Sequence, residues 1–209
     1  KKTLNKSFNL WFWGALTCFS QEHMQTFGYL SSMLPIIKEL YPDKKEQQEK
    51  IHAYTAFFNT NPMLGSVIIG TTASMEEARA NGKGIDGETI NDMRAGLMGP
   101  IAGIGDSLID GTLIPILLGL ALGMSQNGSP VGAIFYIIVW DLIAYFGQRF
   151  LYFRGYKLGD KAVSILVGKQ GKAIRHAISI IGGMVVGGVL ASWVNVTTSL
   201  QLKDSTGKV

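Results

Sequence analysis

The sequence contains few charged residues and only one cysteine among its 209 residues. Asp, Glu, Lys and Arg together make up 16% of the chain, whereas soluble domains carry about 25%. None of these four residue types occurs in residues 51–75, 111–140 or 177–202. A run of about 20 such residues can cross a bilayer as a helix, so the low charge indicates a membrane protein. Because Cys18 is alone, an intrachain disulfide is excluded.

The sequence also lacks the patterns that are typical of several other protein classes. No segment alternates between apolar and polar residues for long enough to form a membrane-spanning β-strand. We therefore predict an all-α, polytopic helical membrane protein that contains broken helices or re-entrant hairpins. No His or Cys spacing resembles a zinc site, and we expect neither a metal nor another cofactor. The net charge of +4 lies mainly in segments beside apolar runs, where membrane topology explains it better than nucleic-acid binding does.

The distribution of apolar and charged residues divides the chain into seven segments. We predict a basic lead and first broken membrane helix over 1–37, a polar connector over 38–50, two re-entrant or broken segments over 51–123, a turn and spanning helix over 124–153, a basic loop over 154–175, a glycine-rich spanning helix over 176–200 and an external tail over 201–209. Short basic loops stay in the cytoplasm, so we expect a multi-pass topology with the N-terminus and the basic loop inside. We expect no cleavable signal peptide, because the first apolar segment is too long and lacks a cleavage site.

The first apolar segment is interrupted by the polar string "SQEHMQ". Glu22 is the only charged residue between Ser7 and Ile37. A charged residue at membrane depth costs about 2.5–3.5 kcal/mol on insertion scales, so it usually marks a binding site or a structural ion pair. We take Gln21, Glu22 and His23 as candidate site residues, with structural pairing of Glu22 and packing of His23 as the alternatives. Steps of four and three also predict one small and polar helix face, formed by Gly14, Cys18, Gln21, Gln25, Gly28 and Ser32.

The strings "FFNTNPMLG" and "GPIAGIGDSLIDG" place proline, glycine and polar side chains inside apolar surroundings. Irregular backbone at membrane depth is tolerated only in protein or beside a wet cavity, and paired broken segments indicate a transport site. Asn59 and Asn61 each offer amide donors and an acceptor, which suits a polyol such as a sugar, and Phe57 and Phe58 would stack on its apolar face. The alternative is that an asparagine caps a helix that begins at Pro62.

In the second of these strings, Asp106 or Ser107 is predicted to cap the helix that follows, and both are candidate site residues. Asp106 and Asp110 share one helix face, so at least one of the two carboxylates needs a partner or a raised pKa. The glycines do not form a phosphate loop, because no Lys-Ser or Lys-Thr pair follows them and no strand precedes them. The alternative is a pair of Pro-kinked spanning helices without a ligand. For Asp141, structural pairing with Arg149 on the same helix face is the favoured interpretation.

Three strings together resemble one protein family over residues 1–200. "FFNTNPMLGSVIIGTTASMEE", "LMGPIAGIGDSLIDGTLIPIL" and "SQEHMQTFGYLSSMLPII" are similar to the IID subunit of the mannose-family sugar phosphotransferase system. The resemblance implies a bacterial cell-membrane protein that forms the sugar-translocating unit with a IIC subunit of similar fold, assembled as a trimer of IIC–IID pairs. Members transport hexoses such as mannose, glucose and fructose, or sorbose and amino sugars, and some serve as receptors for class II bacteriocins.

The resemblance also implies where the phosphoryl group is carried. A phosphohistidine on the cytoplasmic IIB subunit phosphorylates the sugar, and the IIA subunit recharges it, so this chain is expected to contain no catalytic residue. His23, His52 and His176 are accordingly not expected to carry phosphate. Family members continue into a further C-terminal apolar helix, which we expect to be absent from this chain.

The resemblance and the polarity of the three strings together define seven candidate sugar-binding residues. These are Gln21, Glu22, His23, Asn59, Asn61, Asp106 and Ser107. Two other functions stay open. One is an ion-coupled secondary sugar transporter, in which Glu22, His23 and Asp106 form a proton relay. The other is a structural scaffold for IIC that makes no sugar contact.

Overall fold

The computed structural model describes residues 1–125 and 128–159, and these residues are mostly helical. The elements are α1 (Lys2–Thr17), α2 (Thr26–Leu40), α3 (Lys44–His52), a 3₁₀ turn (Ala53–Thr55), α4 (Pro62–Ala80), α5 (Gly87–Gly105), a π-helical segment (Asp106–Leu113), α6 (Ile114–Met124) and α7 (Val131–Leu158). The predicted all-α class is confirmed. The part of the expected basic loop beyond residue 159, the expected spanning helix over 176–200 and the expected tail over 201–209 lie outside the described residues.

The first apolar segment forms a hairpin of two helices, and the polar string lies at its tip. α1 ends at Thr17 and α2 begins at Thr26, and each helix is about 23 Å long, which is shorter than a bilayer core of about 30 Å. The two helices meet through glycines: a Cβ on Gly28 would stand 2.7 Å from the Gly14 carbonyl oxygen. The small residues therefore face each other across a hairpin, whereas the spacing predicted that they would share one face of one helix.

The polar connector after this hairpin contains a short exposed helix. Asp43 caps α3 by accepting a hydrogen bond from the Glu46 backbone N–H at 3.1 Å. No residue of α3 is buried. The connector ends in the 3₁₀ turn, which leads into the segment that precedes α4.

α4 and α7 run parallel and pack closely through two glycines. A Cβ on Gly70 would overlap the Tyr152 carbonyl oxygen, and a Cβ on Gly155 would overlap the Val67 carbonyl oxygen. Small residues allow this kind of close backbone approach between membrane helices. The packing of α4 against α7 therefore depends on the absence of side chains at both positions.

Two helical stretches of the described chain are long and apolar enough to cross a membrane. These are Gly87–Met124, which joins α5, the π-helical segment and α6 over 38 residues, and Val131–Leu158, which is the 28-residue α7. Only 22% and 17% of their most apolar windows are buried, unlike the core helices of soluble proteins. Large apolar side chains point outward from α6 and α7, among them Ile116, Leu120, Leu122, Ile134, Ile137, Leu142, Phe146 and Phe150.

The string "GPIAGIGDSLIDG" is helical throughout. Its only departure from α-helical geometry is a change to the wider π-helix at Asp106. Asp106 has φ −61° and ψ −41°, and the π-helical segment joins α5 to α6. The expectation that Asp106 or Ser107 caps a helix is wrong, because both residues lie within continuous helical backbone and neither side chain accepts a hydrogen bond from a backbone N–H of a helix start. Pro115 gives a physical reason for the wide turn, since its ring would crowd the carbonyl one α-helical turn earlier.

Candidate functional site

Asn61 is the centre of the polar cluster that joins the two irregular segments. Its Oδ1 accepts hydrogen bonds from the backbone N–H groups of Met63 at 3.1 Å and Leu64 at 3.2 Å, so Asn61 caps α4 with Pro62 in the first turn. Its Nδ2 donates to Asp106 Oδ1 at 3.1 Å and to Asp110 Oδ2 at 3.0 Å. The helix cap, which was the alternative interpretation of this string, is confirmed. Because both amide protons of Asn61 are used, this residue holds the two carboxylates and has no donor left for a ligand in this conformation.

The backbone of the π-helical region explains how one amide reaches both carboxylates. Gly105 lies against the Asn61 side chain, and a Cβ at Gly105 would overlap the Asn61 carboxamide. The wide turn places Asp106 and Asp110 on the same side of the helix. Thr112 supports that turn by donating from its hydroxyl to the Ser107 carbonyl at 2.8 Å. π-helical turns of this kind occur often at functional sites.

The Ser107 side chain takes no part in this cluster. The Ser107 hydroxyl donates to the Gly103 carbonyl at 2.8 Å, which is a local bond along the helix. Ser107 therefore lies beside the cluster but is already paired with its own backbone.

The irregular segment before α4, residues 56–61, is hydrogen-bonded to Gln25 and Thr26 at the tip of the hairpin. Gln25 Nε2 donates to the Thr60 carbonyl at 2.9 Å, and Gln25 Oε1 accepts from the Thr60 backbone N–H at 3.2 Å. The Gln25 backbone N–H donates to the Phe58 carbonyl at 3.0 Å, and the Phe58 N–H donates to the Thr26 hydroxyl at 2.9 Å. These bonds satisfy the non-helical backbone, as burial away from water requires. Gln25 was not among the candidate site residues.

α5 holds the same segment from the other side. Arg94 Nη1 donates to the Ala56 carbonyl at 2.9 Å, and the Arg94 guanidinium lies over the Tyr29 ring at 5.5 Å. The Thr60 hydroxyl donates to the Met98 carbonyl at 3.2 Å. The segment is therefore fixed between the hairpin tip and α5.

The two phenylalanines of "FFNTNP" have different environments. Phe58 is fully buried and stacks on Tyr29 with ring centroids 4.5 Å apart, so the expectation that it stacks on a sugar is wrong. Phe57 is 51% exposed, and Asn59 is also exposed. The hydrogen-bonded segment thus leaves the side chains of Phe57 and Asn59 exposed and buries Phe58 against Tyr29.

The three candidate residues at the hairpin tip lie apart from Asn61. Gln21, Glu22 and His23 are exposed, and the closest approach of His23 Nε2 to Glu22 Oε2 is 3.9 Å. The His23 ring meets the edge of Phe27 at 5.2 Å between centroids. Within residues 1–125 and 128–159, no hydrogen bond or ion pair joins these three side chains to the Asn61 cluster. The polar string contacts the segment before α4 through Gln25, whereas Glu22 and His23 are exposed.

Asp141 is not paired with Arg149, so the interpretation favoured from the sequence is wrong. Arg149 Nη2 donates to Asn5 Oδ1 at 2.9 Å, and its guanidinium lies 4.9 Å from the centre of the Phe153 ring. In the part of the chain that the structure describes, Asp141 forms no ion pair. Two turns of helix place the two side chains on a similar face, but the intervening distance is longer than an ion pair spans.

A buried carboxylate near the other end of α4 was missed by the sequence analysis. Glu76 is fully buried. Tyr41 donates to it at 2.6 Å, Tyr54 also donates to it, and Arg79 Nη1 lies 3.5 Å from Glu76 Oε1. Burial, with the Glu76 hydrogen bond second, raises the pKa of the Tyr41 hydroxyl well above its ordinary range. This cluster attaches the segment between α2 and α4 to α4 itself.

The chain matches a family model and several relatives along most of its length. The model described as "PTS system mannose/fructose/sorbose family IID component" matches residues 1–209. The fructose permease IID component of Bacillus subtilis (strain 168) is 35% identical over 201 residues, which cover 93% of this chain and 72% of that protein. The mannose-specific EIID component of Escherichia coli (strain K12) is 35% identical over 195 residues, which cover 90% of this chain and 68% of that protein.

Solved structures agree with this relationship. A chain in the cryo-EM structure of the mannose transporter ManYZ in complex with Microcin E492 is 32% identical and superimposes with a TM-score of 0.73, over 100% of this chain and 77% of that chain. A second structure, described as a membrane protein, gives a TM-score of 0.80 at 32% identity with the same coverage. The resemblance inferred from the three strings is thereby confirmed. The chain belongs to the IID components of the mannose/fructose/sorbose family of the phosphotransferase system, which are membrane proteins.

Proposed function

We propose that this chain binds and translocates a hexose together with a IIC subunit, and that a IIB phosphohistidine phosphorylates the sugar. The observation that carries the proposal is the polar centre formed by Asn61, Asp106 and Asp110. Gly105 and Asp106 lie near the middle of the 38-residue stretch Gly87–Met124. Transporters commonly hold their substrate near the bilayer midplane, where irregular helices meet.

The chemistry of the polar centre supports a neutral, hydroxyl-rich substrate. Asn61 fixes one oxygen of each carboxylate, which leaves the remaining lone pairs of Asp106 and Asp110 to accept hydrogen bonds from hydroxyl groups. The carboxylates also lie at the N-terminus of α4, where the helix dipole favours negative charge. Asp106 and Asp110 are exposed in this chain, so a sugar can reach them. A hydrogen bond to a charged group contributes about 1.5–3 kcal/mol, so such a centre discriminates between sugars that do and do not supply the matching hydroxyls.

The seven residues named from the sequence remain proposals, in two groups. Asn59, Asn61, Asp106 and Ser107 belong to the polar centre or its rim. Gln21, Glu22 and His23 belong to the hairpin tip, where their exposure leaves them accessible to the sugar or to the IIC subunit. The fructose and mannose relatives support a hexose as the substrate.

The topology and assembly belong to the same proposal. We place the N-terminus in the cytoplasm of a multi-pass protein of the bacterial cell membrane, assembled as a trimer of IIC–IID pairs that receives phosphoryl groups through IIA and IIB. A second function, as a receptor for a class II bacteriocin, is favoured by one observation: a chain that is 32% identical to this one belongs to a mannose transporter that was solved in complex with Microcin E492.

The test is uptake and phosphorylation of radiolabelled mannose and fructose in cells whose only mannose-family permease contains this chain with its IIC subunit. We expect the sugar to accumulate as its phosphate, and we expect Asn61→Ala to abolish accumulation while the protein still reaches the membrane. Free sugar inside the cell together with sensitivity to a protonophore would instead support the secondary transporter. Normal uptake by single substitutions at all seven residues would support the scaffold.

The bacteriocin function is tested separately in the same cells. We expect growth inhibition by a class II bacteriocin only when the IIC–IID pair is present. Equal sensitivity of cells with and without the pair would contradict this second function and would leave the transport proposal unaffected.

A further inference from the structure

A groove next to the polar centre is lined by residues of four elements, and it combines apolar side chains, three of them aromatic, with five polar ones. It lies between the C-terminal part of α1, the N-terminus of α4, the π-helical segment and the middle of α7, and its volume is about 340 Å³. Pockets for small molecules are commonly about 300–1,000 Å³ and combine apolar walls with a few placed polar groups. Its polar lining consists of Thr17, Asn61, Asp110, Asp141 and Gln148.

Gln148 is a buried side chain of the groove, and its carboxamide is hydrogen-bonded to Ser66. It is only 8% exposed. The Trp11 indole N–H can only donate, and it donates to Ser66 Oγ at 3.0 Å. The single Ser66 hydroxyl proton has two acceptors within reach, Gln148 Oε1 at 3.2 Å and the Pro62 carbonyl at 3.5 Å, and the Gln148 oxygen is the nearer. This leaves the Gln148 Nε2 protons for the groove, and they find no acceptor among the residues that the structure describes.

Asp141 supplies a carboxylate to the groove at membrane depth. It lies ten residues after Val131, about 15 Å along α7. Arg149, the basic residue two turns further on, is occupied by Asn5 and an aromatic ring. An ionisable residue inside a membrane span is costly and is by default a candidate functional residue. Asp110 adds a second carboxylate, and Asn61 fixes one of its oxygens at 3.0 Å.

The walls of the groove supply aromatic surface. Trp13 of α1 and Trp140 of α7 both line it, and Trp140 stacks on Tyr136 with centroids 6.4 Å apart. Indole rings offer a large apolar face, which suits the C–H face of a pyranose ring. Carboxylate acceptors, amide donors and an aromatic face are together the complement of a monosaccharide.

The charge of the groove distinguishes a free sugar from a phosphorylated one. Asp110 and Asp141 are acidic, and none of the groove residues that the structure describes is Lys or Arg. A phosphate group on the bound sugar would meet two carboxylates of the same charge sign, and like charges repel. The groove therefore suits the neutral sugar and would expel its phosphate.

We infer that this groove is a binding subsite for the unphosphorylated monosaccharide, held by Asp141 and Gln148 against Trp140. The inference rests on the proposed transport function and identifies the IID surface that meets the substrate. Neither Asp141 nor Gln148 was a candidate from the sequence. Release of the product follows from the same geometry, because phosphorylation adds negative charge to the ligand.

Binding to the purified IIC–IID complex tests the inference directly. Isothermal titration with mannose, fructose and mannose 6-phosphate is compared for the wild type, Asp141→Asn and Gln148→Leu. Loss of a hydrogen bond to a charged group is expected to raise the Kd of the transported sugar about tenfold or more for Asp141→Asn. Leu142→Ala, on the side of α7 away from the groove residues (52% exposed), is the matched control and should bind like the wild type. The phosphate is expected to bind at least tenfold more weakly than the sugar.

A second measurement, the labelling of an introduced cysteine, tests access to the groove and does not depend on measuring transport. Ala144→Cys, in a Cys18→Ser background, places a thiol on the groove lining, and the transported sugar should slow its reaction with a maleimide. A thiol that never reacts would show that protein covers the groove and would overturn the inference. Wild-type sugar binding by both Asp141→Asn and Gln148→Leu, or equal binding of sugar and sugar phosphate, would also overturn it while leaving the transport proposal intact. A wild-type complex that neither binds nor takes up a hexose would instead contradict the transport proposal itself.

Discussion

Gly105 lies directly against the carboxamide of Asn61, so closely that any Cβ at position 105 would overlap it. The two residues belong to different helices and are 44 positions apart in the chain. Their contact allows one amide to cap α4 and to hold Asp106 and Asp110 at the same time. The absence of a side chain at Gly105 is therefore a structural requirement of the polar centre.

Gly105→Ala should displace Asn61 and reduce sugar uptake strongly. Overpacking of this kind costs about 1–3 kcal/mol, and the same displacement separates Asn61 from its two carboxylate partners. Uptake and the melting temperature of the purified complex measure the two effects. Gly103→Ala is the matched control, because a Cβ at Gly103 meets nothing within 4 Å and alanine favours a helix over glycine by about 1 kcal/mol. Equal behaviour of the two variants would contradict the importance of the Asn61 contact.

Gly155→Ala should separate α4 from α7. Its Cβ would collide with the Val67 backbone, which a side-chain rotation cannot relieve. We expect a lower melting temperature of the complex in detergent, corresponding to about 1–3 kcal/mol of overpacking. Gly119→Ala, in open space on α6, provides the control. If Gly155→Ala melts like the wild type, the close contact between Gly155 and the Val67 backbone does not contribute to stability.

Gln25→Leu should loosen the segment before α4 while leaving the hairpin itself in place. The substitution removes both hydrogen bonds to Thr60 and leaves a buried N–H and a buried carbonyl without partners, at about 1–3 kcal/mol each. Hydrogen exchange of the peptide that contains residues 56–61 should become faster. Gln21→Leu, on the exposed part of the tip, should leave that exchange rate unchanged, and equal protection in both variants would argue against the role of Gln25.

Acid should weaken the start of α5 through Asp86. Asp86 accepts a hydrogen bond from the Thr89 N–H at 2.7 Å and caps the helix. Hydrogen bonds from Thr89, first from its side chain and then from its backbone, lower the Asp86 pKa below 3.8. A lowered pKa means that the stabilisation is complete above the unfolded-state pKa and is lost as the pH falls through the folded-state value.

The measurement for this prediction is the melting temperature of the wild type and Asp86→Asn over a pH series from neutral to below about 4. Asparagine also caps helices but does not titrate in this range, so the variant should lose less stability on acidification than the wild type. Parallel curves for the two proteins would show that Asp86 does not contribute to the acid sensitivity.

Features that depend only on residues close together in the chain could be predicted from the sequence. The long runs without charge indicated a helical membrane protein, and Asn61 followed by Pro62 indicated a capped helix start, because a cap bonds to N–H groups two and three residues away. The break around "SQEHMQ" was visible for the same reason, since consecutive polar residues interrupt an apolar run. The three strings carried enough identity to indicate the family.

The sequence by itself thus determined the helical class, the family and the position of the main break, and it offered the cap at Asn61 as one of two interpretations. Only the tertiary structure decided which polar groups meet. Gln25 pairs with Thr60, 35 residues away, and Asn61 reaches Asp106 across 45 residues. The packing of the helices also leaves Glu22 and His23 exposed and buries Glu76 between two tyrosines. Arg149 bonds to Asn5 and not to Asp141, which therefore lines the groove without an ion-pair partner among the described residues. The physical reason is that a cap depends on its neighbours in the chain, whereas the partner of a buried polar group depends on which helices pack beside it.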